Sequence, residues 1–210
     1  MKRVRGNAPE LTGQPSKDSD SQDWRVFCAV DIPEKITELL SNRIQALERQ
    51  APNAAASWGR AGKFHLTLKF LEHISQNRLV DLSEAARKAT ESIKPFEITI
   101  GGAGTFPKHG PPRVLWIGVE DPTGLLQRLQ KQLEEECSVI GFPAEERKFQ
   151  PHLTLARLRK TEGARELARA HLALPFPQMD APIKELKVYR SELGREGSKY
   201  SVISTHPFSE

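Results

Sequence analysis

The sequence has few cysteines and no long apolar run, and each absence excludes a class of protein. Cys28 and Cys137 are too few for the framework of a disulfide-stabilised secreted domain, so we expect two reduced thiols. No apolar stretch reaches the roughly 18–20 residues that a membrane helix needs. Lys2, Arg3 and Arg5 have no apolar segment behind them, which argues against a secretory signal. The cytoplasm is therefore the expected location, with no membrane partner.

Neither a strong charge excess nor a metal-ligand cluster is present. The net charge of +4 permits a phosphate-bearing partner but does not require one. No Asp-rich or Cys/His cluster has the spacing of metal ligands, and two histidines alone lack a third ligand for zinc. The glycines Gly101, Gly102 and Gly104 are not followed by the Gly-Lys-Ser/Thr helix of a nucleotide phosphate loop. We therefore expect no metal and no other cofactor.

Polar residues at 1–23 predict a disordered N-terminal arm, and the folded domain is expected to cover 24–210. Apolar spacing predicts the elements that follow. Helices are predicted at 34–50, 76–93, 123–140 and 162–173, strands at 26–30, 65–71, 96–101, 114–119, from 152, at 183–189 and 199–205, and a loop at 101–112.

The order of these elements repeats. Val26 lies 39 residues before His65, and Val114 lies 38 residues before His152. Each half is predicted as β-α-β-α-β, which indicates an internal duplication with a period near 87 residues. The expected fold is α+β, with two lobes of approximately 24–112 and 113–210 between which the termini are free to cross. Their antiparallel-rich sheets would face a central cleft, with helices outside.

One tetrapeptide occurs in both halves, as His65-Leu66-Thr67-Leu68 and as His152-Leu153-Thr154-Leu155. Because side chains alternate along a strand, each copy presents an imidazole and a hydroxyl on one face and two leucines on the other. Two imidazoles suit acid–base cleavage of a phosphodiester near neutral pH, one taking a proton and the other giving one. The threonine hydroxyls can donate hydrogen bonds to phosphate oxygens. The symmetry of the motifs leaves the two roles unassigned.

The chain resembles the two-histidine (2H) phosphoesterases, specifically the RNA 2′,3′-cyclic phosphodiesterases, also named 2′-5′ RNA ligases. The resemblance covers about 24–208 and rests on four segments. They are His-Leu-Thr-Leu-Lys-Phe-Leu at 65–71, Pro-His-Leu-Thr-Leu-Ala-Arg at 151–157, Gly-Gly-Ala-Gly-Thr-Phe-Pro at 101–107 with Arg113-Val-Leu-Trp, and Tyr189-Arg-Ser-Glu-Leu with Gly197 and Tyr200. Glu72 departs from the glycine that is common in relatives, at a turn beyond the motif.

The resemblance implies a bilobal fold and metal-independent opening of an RNA 2′,3′-cyclic phosphate end to a 2′-phosphate. It implies His65 as proton donor and His152 as proton acceptor, with Thr67 and Thr154 binding phosphate. The reverse reaction would join RNA ends by a 2′-5′ linkage. The implied partner is RNA with a cyclic phosphate terminus, such as a tRNA fragment, or a small cyclic nucleotide, and a monomer is expected.

Other residues are weaker candidates. Lys69 shares the predicted strand face of His65, Arg157 falls on the leucine face unless a bulge intervenes, and Arg113 follows the glycine-rich loop, so all three are further phosphate-binding candidates. Packing is favoured over base stacking for Phe64 and Phe149. Trp58 and Trp116 are predicted in the core, and the remaining histidines on the surface or in loops: His73, His109, His171 and His206.

Two alternative functions stay open. One is a non-catalytic module that binds RNA or a nucleotide in the same cleft. The other is a phosphodiesterase for a small cyclic nucleotide or a 2′-5′ oligonucleotide. Intact histidine and threonine in both motifs favour catalysis, because binding alone would tolerate the loss of an imidazole.

Overall fold

The computed structural model describes residues 23–60, 63–194 and 197–209. Apart from Asp23, the predicted arm of residues 1–23 lies outside the described residues. The described strands are β1 (Trp24–Asp31), β2 (Ala56–Trp58), β3 (His65–Ile74), β4 (Phe96–Phe106), β5 (Val114–Glu120), β6 (His152–Leu158), β7 (Met179–Ile183), β8 (Glu185–Gly194) and β9 (Gly197–Pro207). The α-helices are α1 (Glu34–Gln50), α2 (Leu79–Thr90), α3 (Leu125–Val139) and α4 (Ala164–Ala173), with a 3₁₀ turn at Gln76–Arg78 before α2.

The strands form two antiparallel sheets, and each sheet takes strands from both halves of the sequence. Sheet A has the order β3-β1-β8-β9, and sheet B has the order β2-β6-β5-β4-β7. The third long strand of each half is exchanged, because β4 pairs with β5 and β8 pairs with β1. The predicted lobes 24–112 and 113–210 therefore describe sequence halves, and both sheets cross that boundary. The α+β class and the two antiparallel sheets are confirmed.

The helices also pack in pairs that join one half of the sequence to the other. Helices α2 and α3 pack together, α2 against β8 and β9 and α3 against β3, whereas α1 contacts α4 and α4 contacts β4. Each helix buries one apolar face, as α1 does with Ile36, Leu40, Ile44 and Leu47. The buried side chains join in one continuous core. None of the helices in the described part of the chain is long and apolar enough to cross a membrane.

Two predictions about the chain path are wrong, and one strand was missed. The predicted loop 101–112 is extended as far as Phe106, because Gly101 to Phe106 pair with β5. The single predicted strand at 183–189 is two strands, β7 and β8, of which β7 belongs to sheet B and β8 to sheet A. The short strand β2 was not predicted. Long-range pairing, which local sequence patterns do not encode, determines all three.

Candidate active site

His65 and His152 begin the equivalent strands β3 and β6 and have equivalent hydrogen bonds. Nδ1 of His65 lies 2.9 Å from the carbonyl oxygen of Lys63, and Nδ1 of His152 lies 2.7 Å from that of Gln150. A carbonyl oxygen only accepts, so Nδ1 carries the proton and donates in both rings. Nε2 is then the nitrogen that can take or give a proton during a reaction.

The motif threonines share a strand face with the histidines. Thr67 lies opposite Ala29 on β1, and Thr154 lies opposite Trp116 on β5. The motif leucines are buried on the other face of each sheet: Leu66, Leu68, Leu153 and Leu155. The Cα atoms of β3 and β6 approach within 8 Å of each other. The structure therefore makes neighbours of the two strands that carry the motifs, and in each strand the motif leucines lie in the core while histidine and threonine lie on the opposite face.

Aromatic rings pack against the imidazole of His65. Phe27 stacks on it with a centroid distance of 4.4 Å, and Tyr200 meets it edge-on at 5.2 Å. Tyr189 stacks in turn on Phe27, with its ring centre 6.3 Å from that of His65. Burial by these rings lowers the pKa of His65, and the Lys63 carbonyl and the Asp31 carboxylate oppose that effect.

A different set of rings packs against His152. Phe106 meets the imidazole edge-on at 5.0 Å, and the ring of Trp116 is 6.4 Å away. Trp116, which was predicted in the core, is half-buried beside the site. Its indole lies over Gly104, where a Cβ atom would come within 2.0 Å of the ring. Burial lowers the pKa of His152, the Gln150 carbonyl raises it, and Arg157 lowers it further.

A bulge in each motif strand determines which later residues reach the polar face. In β3, Thr67 pairs with Ala29 but Lys69 pairs with Cys28, so the register shifts at Leu68. The predicted common face of Lys69 and His65 is therefore wrong. Lys69 is 5% exposed on the core side. Its ammonium group lies 2.6 Å from Glu134 Oε2 and 2.8 Å from the Pro143 carbonyl, so it is unavailable to phosphate.

The equivalent bulge in β6 has the opposite consequence for Arg157. Trp116 pairs with Thr154 but Leu115 pairs with Ala156, which returns Arg157 to the face of Thr154. Arg157 is exposed there, and Phe70 occupies the corresponding position on sheet A. Arg113 is also exposed, and its carbonyl accepts a 2.8 Å hydrogen bond from Leu158 N. The backbone positions of both arginines are therefore at the end of β6 away from His152, and the Arg157 charge is still near enough to lower the pKa of His152.

Asp31 and Lys187 near His65 were not predicted as site residues, and Tyr189 was noted only as part of a family segment. Asp31 pairs directly with His65 across β1 and β3. Its carboxylate accepts a 2.6 Å hydrogen bond from Lys187 Nζ and another from the Tyr189 hydroxyl. The sequence signal was weak, because Asp31 stands at a strand end before Ile-Pro and suggested only a helix start.

Two histidines predicted at the surface or in loops are buried. His171 on α4 lies 3.1 Å from the Trp116 carbonyl through Nε2, and its Nδ1 accepts a 3.3 Å hydrogen bond from Arg43 Nε. Burial, with the Arg43 charge, lowers the pKa of His171 to about 4. His206 on β9 is 7% exposed. His73 and His109 are exposed, as predicted.

The remaining candidates have structural positions. Phe64 is buried, Phe149 packs against the core, and Trp58 is half-buried against it. Cys28 and Cys137 are buried free thiols. Burial raises the pKa of both, that of Cys137 to about 11. Among the described residues, no three His, Cys, Asp or Glu side chains are grouped so that they could hold a metal ion.

Known proteins with the same fold have related sequences. An RNA 2′,3′-cyclic phosphodiesterase of Thermotoga maritima is 31% identical over 85% of this chain and 92% of its own length. One of Methanothermobacter thermautotrophicus is 33% identical over 84% of this chain and 95% of its own length. The crystal structure of Escherichia coli LigT complexed with 3′-AMP matches with a TM-score of 0.70 and 25% identity, covering 90% of this chain and all of LigT.

A family model agrees with these similarities. It is described as the 2′-5′ RNA ligase superfamily and matches residues 28–195, a span that contains both histidine motifs. The match extends over both sheets and includes Asp31, Lys187 and Tyr189 as well as the predicted catalytic residues. This chain belongs to the 2′-5′ RNA ligase superfamily.

Proposed function

We propose that this protein hydrolyses RNA 2′,3′-cyclic phosphate ends to 2′-phosphate ends by two-histidine acid–base catalysis without a metal. The observation that carries the proposal is the pair of half-buried imidazoles on equivalent strands. Each has Nδ1 held by a backbone carbonyl, and each shares its strand face with a threonine. The relatives from Thermotoga and Methanothermobacter are RNA 2′,3′-cyclic phosphodiesterases, which supports the choice of substrate.

In the proposed reaction, Nε2 of His152 takes a proton from water as the water oxygen attacks phosphorus. The bond between phosphorus and O3′ breaks, and His65 gives its Nε2 proton to O3′. The products are a 2′-phosphate and a free 3′-hydroxyl. The Thr67 and Thr154 hydroxyls donate hydrogen bonds to the non-bridging oxygens, where negative charge accumulates in the transition state.

The surroundings of the histidines support this division of roles. The acid must be protonated before the reaction, and the Asp31 carboxylate favours the charged form of His65. The base must be neutral, and the positive charge of Arg157 disfavours protonation of His152. In this proposal the exposed Arg157 and Arg113 bind phosphates of the RNA chain upstream of the reacting end.

The proposal also covers the reverse reaction, the balance between the two directions, and the oligomeric state and location of the protein. With an RNA 5′-hydroxyl in place of water, the reverse reaction joins two ends by a 2′-5′ linkage. Hydrolysis dominates in dilute solution because water is in large excess. The protein acts as a monomer in the cytoplasm.

The deciding experiment incubates purified protein and EDTA with a short RNA that ends in a 2′,3′-cyclic phosphate. The expected product is a 2′-phosphate end. His65→Ala and His152→Ala should each lower the rate by about 10²–10⁴-fold, the usual contribution of a general acid or base. His73→Ala, on the same strand as His65 but exposed, is the matched control and should keep the wild-type rate.

Each remaining outcome identifies an alternative. RNA that is bound but unchanged would indicate a binding module. Cleavage of 2′,3′-cyclic AMP in preference to RNA would indicate a small-nucleotide phosphodiesterase. Cleavage that is abolished by EDTA, or that persists in both alanine variants, would contradict the two-histidine mechanism.

A further inference from the structure

The polar face around His65 carries a carboxylate that the proposed reaction does not itself use. Asp31 is the last residue of β1 and pairs with His65, the first residue of β3. Directly opposed residues of antiparallel strands have Cβ atoms about 4.5–5.5 Å apart on the same face. The Asp31 carboxylate is therefore a close neighbour of the His65 imidazole, although it takes no part in the proposed proton transfers.

The carboxylate is held in place by two side chains of β8. Lys187 Nζ donates to Asp31 Oδ2 at 2.6 Å, and the Tyr189 hydroxyl donates to Asp31 Oδ1. Tyr189 also stacks on Phe27, which itself stacks on His65. The carboxylate, the two donors and the imidazole thus form one contiguous cluster across β3, β1 and β8.

The equivalent position beside His152 is occupied by Gly118. A Cβ atom on Gly118 would come within 2.7 Å of the Gly101 carbonyl oxygen, so the backbone of β4 prevents any side chain there. The carboxylate is consequently restricted to one half of a site whose backbone plan is otherwise duplicated. A group that is built into one half and sterically blocked in the other can distinguish the two histidines.

In the part of the chain that the structure describes, few other charges face His65 from the elements packed against it. Lys63 directs its ammonium group to the Ser198 carbonyl and lies 5.9 Å from the ring of Tyr200. Lys187 also lies 2.9 Å from Glu185 Oε1, so its charge is shared between two carboxylates. Among residues 23–60, 63–194 and 197–209, the ionisable groups around the imidazole are thus Asp31, Lys187, Glu185, Lys63, Tyr189 and Tyr200.

We propose, on the basis of the two-histidine function above, that Asp31 is a positioning residue that keeps His65 protonated as the acid. Lys187 and Tyr189 fix the orientation of its carboxylate. Burial against Phe27 disfavours the imidazolium form of His65, and a neighbouring negative charge offsets that effect without entering the reaction. The positive charge of Lys187 partly offsets the negative charge of Asp31. Loss of Asp31 and loss of Lys187 therefore have opposite effects on the protonation of His65.

The test follows the titration of each imidazole by NMR in the full-length protein, without substrate. Asp31→Asn should lower the pKa of His65 and leave that of His152 in place. Lys187→Gln should raise the pKa of His65. Asp180→Asn removes a carboxylate from sheet B, where it bonds Thr99, and serves as a control that leaves both titrations unchanged. A purely structural role for Asp31 does not predict opposite shifts from the two variants.

Kinetics complete the test. The alkaline limb of the pH–rate profile for cyclic-phosphate hydrolysis should move to lower pH in Asp31→Asn and to higher pH in Lys187→Gln. At pH 8 the rate of Asp31→Asn should fall about threefold to tenfold, a fraction of what a general acid contributes. Titrations and profiles that coincide with wild type in both variants would overturn this inference alone. Wild-type protein without activity would instead overturn the proposed function, and the NMR shifts would distinguish the two cases.

Discussion

The two halves of the cleft have the same backbone plan but different side chains. Asp31 lies opposite His65 where Gly118 lies opposite His152, and small Ala29 stands where the other half has Trp116. The shared plan gives both imidazoles the same tautomer, because each Nδ1 donates to a carbonyl two residues earlier. Under the proposed mechanism, this difference between their neighbours suits His65 to giving a proton and His152 to taking one.

The largest expected effect is on the free energy of unfolding, and it concerns His171 behind the half of the cleft that contains His152. His171 is neutral in the folded protein with a pKa of about 4, and it bonds the Trp116 carbonyl beside the site. Once unfolded, its pKa returns to about 6.5, so the unfolded state binds more protons between these values. The contribution of neutral His171 to stability should therefore be complete above pH 6.5. As the pH drops to 4, the free energy of unfolding should fall by up to about 3 kcal/mol.

Urea denaturation at a series of pH values checks this expectation. His171→Gln should be less stable at pH 7 and should lose much of the pH dependence. The remainder comes from His65, His152 and His206, whose pKa values burial also lowers. His109→Gln, at an exposed position, should keep the wild-type slope. An unchanged slope in His171→Gln would show that this buried histidine does not link protonation to folding.

A second prediction tests how far the half of the site around His152 depends on the absence of a side chain at Gly104. Gly104→Ala places a Cβ atom within 2.0 Å of the Trp116 ring, which must then leave its present position beside His152. Overpacking of this kind costs about 1–3 kcal/mol of unfolding free energy, and the rate should fall as well. Thermal denaturation and the cleavage assay measure the two effects.

Gly110→Ala is the matched control for Gly104→Ala. Gly110 has a φ of +95° and open space around its Cα atom, so alanine there strains the backbone without displacing a ring. It should lose about 1–3 kcal/mol of stability and keep its rate. Equal activity losses in the two variants would mean that the position of Trp116 is unimportant to the site.

The smallest expected effect comes from the charge on the His152 half. Arg157→Gln removes a positive charge that lowers the pKa of His152. That pKa should rise, so the acidic limb of the pH–rate profile should move to higher pH. Loss of the phosphate contact proposed for Arg157 should also lower kcat/KM for RNA about threefold at neutral pH. Steady-state kinetics across pH measure both changes.

The exposed Arg165 on α4 provides a charge-matched control for Arg157. Arg165→Gln should leave the position of the acidic limb unchanged. If Arg157→Gln and Arg165→Gln behave alike, the effect of Arg157 is a general consequence of net charge and the contrast between the two halves of the cleft is weaker.

Residues whose surroundings are local were predictable from the sequence. The period of 3.6 residues gave α1 at 34–50, and the alternation in His-Leu-Thr-Leu gave the polar and buried faces of both motifs. The bulge at Leu68 reversed the orientation of Lys69, because a register shift depends on the partner strand. Asp31 gained its neighbours only through pairing with β3 and β8, which no local pattern encodes.

The exchange of the third strands also has a consequence for the order in which the chain can fold. Sheet B can assemble around β4, β5 and β6 from the middle of the sequence. Sheet A requires β8 to insert between β1 and β9, which joins the first strand to the last two. Because contacts between distant residues form slowly and the chain leaves the ribosome N-terminus first, β1 and β3 can pair early but gain β8 and β9 only at the end of synthesis. The segment that carries His65 is therefore translated early and completed last.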